Sequence, residues 1–166
     1  MKYLLNVLLG MLCAGSAMAA SVQTSIDVQA VVATAVSVFV NGNDVTNGSI
    51  SVSLTDQGGY LKGTTPAFQF IGNAGSVKVT LTSPSSGGLI SEKGDVMKLG
   101  TGFVRLDGAV VSADYPYSGL PVYASIADVP DYNTGVKVTF NSVQKTETYP
   151  LGTYTGTYIL MVTPSA

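Results

Sequence analysis

Residues 22–40 read VQTSIDVQAVVATAVSVFV. The even positions are Val22, Thr24, Ile26, Val28, Ala30, Val32, Thr34, Val36, Val38 and Val40. The odd positions begin polar, with Gln23, Ser25, Asp27 and Gln29, and beyond them the chain becomes apolar on both faces. A side-chain period of two belongs to a β-strand, whose successive residues face opposite sides. These nineteen residues would reach ~65 Å at about 3.4 Å per residue, whereas a usual strand has about 5–6 residues. A sandwich domain of this size is not that tall. The stretch therefore divides. Its first half, residues 22–32, is expected to leave its own domain, and its second half to enter the body.

Upstream lies an export signal. Lys2 supplies a basic start, an apolar run follows from Leu4 to Leu12, and Ala17 and Ala19 sit at the small-residue positions of a cleavage site. Residues 1–19 are read as a signal peptide. The apolar run is shorter than the roughly 20 residues a membrane-spanning helix needs. The single cysteine, Cys13, falls inside this leader and follows Leu12 rather than a small residue. The exported chain is thus expected to carry no disulfide and no thiolate metal site.

Downstream, short alternating segments are punctuated by Gly, Pro and Asn. Ile50, Val52 and Leu54 alternate with Ser51 and Ser53; Val77, Val79 and Leu81 with Lys78 and Thr80; Val136, Val138 and Phe140 with Lys137 and Thr139. Each reads as a strand with one buried and one wet face. Asp107-Gly108, between two apolar runs, has the residue pair of a two-residue type I′ hairpin turn. Asn41-Gly42-Asn43-Asp44 lacks the spacing of a calcium loop and reads as a hairpin connection. A short strand is expected over residues 122–126. The chain ends on a Gly-punctuated turn and an apolar strand through Leu160, Met161 and Val162, an edge that must be paired or protected. Strands at this spacing indicate a β-sandwich.

Several functions are disfavoured. The chain has 8 Lys and Arg against 10 Asp and Glu, with no basic stripe for phosphates, so nucleic acid is not an expected partner. Without histidine, and with its one cysteine in the leader, the Ser-His and Cys-His arrangements cannot be built. The ten acids are scattered among turns, unlike the facing pair of a glycosidase. Neither an enzyme nor a cofactor is expected. Tyr115, Tyr117, Tyr123 and Tyr132 cluster in a Pro-rich stretch. They read either as packing between subunits or as a platform for a host surface glycan.

The two ends carry a resemblance. Ile26-x-Val28-x-Ala30-x-Val32 soon after a cleavage site, with Gly152-x-Tyr154-x-Gly156 before Leu160-Met161-Val162, resembles the chaperone–usher pilins. It looks most like the major subunits of the colonisation-factor (CS1-type, alpha) class, which also lack the disulfide of other pilins. Where those subunits carry an Asp-Pro pair, this chain has Ala33-Thr34. The resemblance implies an all-β, immunoglobulin-like sandwich lacking its final strand and completed by strand donation. It divides the chain into a donor extension, residues 20–34, and a pilin domain, residues 35–166. Val22, Ile26, Val28, Ala30 and Val32 would fill a partner's groove. Gly152, Tyr154, Gly156, Tyr158, Leu160 and Val162 would form the accepting edge. The implied partners are a periplasmic chaperone, an outer-membrane usher, neighbouring pilin copies and a tip adhesin, and the implied location is a fimbria at the cell surface. The competing expectation is a free-standing secreted or periplasmic β-sandwich that binds carbohydrate.

Overall fold

The computed structural model describes residues 28–165. The signal-peptide residues, Val22 and Ile26 lie outside the described part. The chain divides into two units, Met1–Val32 and Ala33–Ala166. In the first, the described residues form no strand, and Val28 is 88% exposed.

The second unit is all-β. It opens with β1 (Val36–Val40) and β2 (Asn43–Asp44), an antiparallel hairpin. A second pair, β3 (Thr55–Asp56) and β4 (Leu61–Thr64), follows. Next come β5 (Phe68–Gly72), β6 (Ser76–Thr82), β7 (Leu89–Ser91) and β8 (Val96–Met97). Then β9 (Leu99–Val104) and β10 (Val110–Ser112) make another hairpin. The chain closes with β11 (Tyr117–Leu120), β12 (Val122–Tyr123), β13 (Lys137–Ser142), β14 (Tyr154–Thr155) and β15 (Ile159–Ser165). The strands assemble as four sheets, in the orders β12-β5-β1-β2, β10-β9-β13-β4-β3, β11-β6-β15 and β14-β7-β8. All pairs are antiparallel except β12 with β5.

One core joins three of these sheets, as the inward positions of alternating strands require. Val40, Phe68 and Phe70 come from the first, Phe103 and Val138 from the second, and Val77, Val79 and Leu120 from the third. Burying such side chains is worth about 1.5–3 kcal/mol each. The architecture is a β-sandwich, in agreement with the sequence pattern. Gln69, between Phe68 and Phe70, is also buried. Its amide nitrogen donates to the carbonyls of Tyr132 at 2.7 Å and Thr134 at 3.3 Å, tying the loop before β13 to the first sheet.

Four local expectations change. Asp107-Gly108 does join a hairpin, but only Gly108 has positive φ, at 83°. Arg105 N–H donates to the Ala109 carbonyl at 2.8 Å, which leaves a three-residue loop between them. Its glycine takes the left-handed position typical of three-residue loops. The two-residue turn with both central residues at positive φ is instead Asn41-Gly42, at 50° and 78°, closed by the Val40–Asn43 pair. Residues 50–54 alternate in burial as expected, yet they join no ladder. Periodicity fixes which face is buried and says nothing of who supplies the hydrogen bonds. The strand expected over residues 122–126 is only β12, because Ile126–Asp128 turns into a short 3₁₀ helix begun by the Ser125–Asp128 capping box. The last strand runs past Val162 to Ser165, taking Pro164 into an edge where its missing N–H is tolerated.

Candidate functional site

The last strand has one partner. β15 pairs with β6 along its whole length, from Ile159 opposite Thr82 to Ser165 opposite Ser76. Among the described residues no strand pairs with its other edge. Leu160 and Val162 turn inward: Leu160 lies opposite Leu81 and Val162 opposite Val79, and both pack against the core. Ile159 and Met161, on the other face, are exposed.

Beside β15 runs a cleft of about 1060 Å³, at the top of the roughly 300–1,000 Å³ range of small-molecule pockets. Leu81, Leu89, Met97, Leu99, Val138 and Phe140 form apolar parts of its lining. Residues 47–54 also line it, with Ile50, Val52 and Leu54 half-buried and the intervening serines exposed. All six C-terminal residues singled out in the sequence border this cleft: Gly152, Tyr154, Gly156, Tyr158, Leu160 and Val162.

The chain between them is locally determined. Tyr154 pairs with Ser91, and its hydroxyl donates to the Pro150 carbonyl at 3.0 Å. Burial, then the Asp95 carboxylate and Tyr149, push the Tyr154 phenol above its ordinary value. A side chain at Gly156 would press on Leu89 and Pro84, so this glycine lets β7 approach. Tyr158 meets Phe140 edge-on, with ring centroids 5.0 Å apart, and burial raises its phenol pKa. Two aromatic rings thereby connect the residue just before the last strand to β13.

No family model matches the chain, and no curated protein matches it. A chain from a solved chaperone–tip adhesin complex of CFA/I fimbriae biogenesis matches in fold with a TM-score of 0.46 and 14% identity, over 79% of this chain. The chain spans 42% of the length of that chain.

The other sequence-predicted residues are placed separately. Val28, Ala30 and Val32 are exposed residues of the first unit. The four tyrosines are spread over different elements. Tyr117 on β11 packs against Phe103 with centroids 6.2 Å apart. Tyr123, on β12, lines a small cavity with Gln69 and Phe70. Tyr132 stands over Gly42, and Tyr115 is 74% exposed. Among the described residues, no group of three or more acidic, His or Cys side chains could hold a metal ion. No helix among them is long and apolar enough to cross a membrane.

Sequence reasoning alone missed the cleft's other surfaces. Ile50, Val52 and Leu54 carry a signal in their alternation, but alternation alone reads as an ordinary strand. Phe140 reads as any inward strand residue does, and Leu89 and Met97 stand in no alternating segment that marks them.

Proposed function

We propose that this chain is the structural subunit of a bacterial surface fibre, and that the cleft beside β15 accepts an N-terminal strand from a neighbouring copy. The observation that carries this is a seven-residue terminal strand, one edge of which pairs with no strand among the described residues, bordering a large, partly apolar cleft. Unpaired backbone groups beside apolar surface are costly and prone to aggregation. An added strand satisfies both, with main-chain hydrogen bonds giving affinity and alternate side chains filling the cleft. Residues 22–32 supply that alternation: Val22, Ile26, Val28, Ala30 and Val32 on one face, and Gln23, Asp27 and Gln29 on the other. Donor and acceptor surfaces differ, so the contact is head-to-tail and extends into a fibre.

On this reading the signal peptide exports the chain to the periplasm. A chaperone covers the cleft until an usher passes the subunit to the cell surface, and a tip adhesin or the subunits themselves meet host glycans. The test fuses a copy of residues 20–34 to the C-terminus through a short flexible linker. Burying several apolar side chains should raise Tm by about 20 °C or more over the unfused chain. An Ile26→Asp or Val28→Asp change in the added copy should abolish that gain, because an unpaired carboxylate is costly in an apolar cleft. Equal melting temperatures with and without the fusion would overturn strand acceptance.

A further inference from the structure

Gly63 sits inside β4, opposite Phe140 of β13. Its φ is not positive, so left-handed backbone does not account for the glycine. Space does. A β-carbon there would stand 2.7 Å from Leu54 Cδ2, 3.0 Å from Val52 Cγ1 and 3.1 Å from the Ser53 carbonyl oxygen. Residues 52–54 therefore fill the hollow that the missing side chain leaves.

These residues belong to the segment that lines the cleft without joining a sheet. Between Gly48 and Thr55 the chain has no strand pairing and no backbone hydrogen bond to another segment among the described residues. Side-chain packing must then hold it: Ile50 against the core, Val52 and Leu54 in the hollow over Gly63. We propose that Gly63 is a positioning residue, the seat that fixes residues 49–54 along the cleft and keeps it open to an incoming strand. This rests on the strand-accepting function proposed above.

The three contacts differ in how far they can yield. Leu54 Cδ2 ends a flexible side chain and can turn aside. Val52 is stiff about χ1, and the Ser53 oxygen moves only with its backbone. Gly63→Ala should thus already press on Val52 and Ser53, and Gly63→Val, with two more methyls, should lift the segment from β4 into the cleft.

The experiment places Gly63→Val in the full chain with and without the C-terminal copy of residues 20–34, and compares the Tm gain that fusion brings. A merely structural cost lowers both forms alike and leaves the gain unchanged, as independent effects do. Loss of seating cuts the gain by roughly half or more, because the two changes are coupled. Gly63→Ala, the smaller intrusion on the same contacts, should cut the gain by less, and it decides the matter where Gly63→Val folds in neither form. A gain in Gly63→Val equal to that of the parent overturns the proposal. So does a gain in Gly63→Ala equal to that of the parent where Gly63→Val folds in neither form. If the parent fusion itself shows no gain, strand acceptance fails first and Gly63 loses its role with it.

Discussion

Phe103 shows what single residues contribute here. It is fully buried on β9, paired with Val111 of β10 and Val138 of β13, and touches Tyr117 of a different sheet. With no disulfide expected after the leader, such contacts must carry the stability. Phe103→Ala should cost about 3–5 kcal/mol through lost burial and the cavity left behind. Urea denaturation measures this, and a loss under about 1 kcal/mol would mean that the neighbours collapse into the space. Residue chemistry was partly legible in advance. Asn-Gly and Asp-Gly are both turn pairs, yet only Asn41-Gly42 forms the two-residue turn. The strands around Gly108 are paired at Val104–Val110, a register that leaves room for a longer loop. Register depends on which side chains face the core, and the dipeptide does not encode it.

Among the elements, β15 matters most, and Tyr158 just before it offers a probe. Burial raises the Tyr158 phenol above its ordinary value, so the folded state holds this proton more tightly than the unfolded chain. The stabilisation is complete below the unfolded value of about 10 and is lost as pH rises through the folded one. Thermal stability should fall above about pH 10, and Tyr158→Phe should flatten part of that fall. A strand laid in the cleft beside Tyr158 should also move its ultraviolet titration to higher pH. An unchanged profile in both experiments would show that Tyr158 does not report on the cleft. The strand and its place at an edge were readable from Leu160, Met161, Val162 and their position near the end of the sequence, whereas its one partner was not. Pairing partners of β15 come from residues 76–82, about half the chain away, and no local pattern names them. Residues 50–54 show the reverse: the pattern was right about the buried face, and no ladder formed.

For the whole molecule, charge is the useful quantity. Eight basic and ten acidic residues give a net charge of −2, and the cleft's named lining is largely apolar or hydroxylic. Assembly by strand addition should then depend weakly on salt, since little electrostatic steering is available. Its rate, followed by light scattering, should change by less than about threefold between roughly 0.05 and 0.5 M salt, where screening lengths shrink severalfold. A steep dependence would point to ion pairs rather than strand burial as the driving contact. The sequence by itself determined an all-β body, the inward face of most strands and the alternation at both ends, because a period of two is a local property of the chain. Only the tertiary structure decided that β6 is the partner of β15, that the six C-terminal residues from Gly152 to Val162 singled out in the sequence border one cleft, and that residues 49–54 run along it over Gly63 without a strand partner among the described residues. Those facts depend on contacts between segments far apart in the chain, and side-chain periodicity carries no record of them.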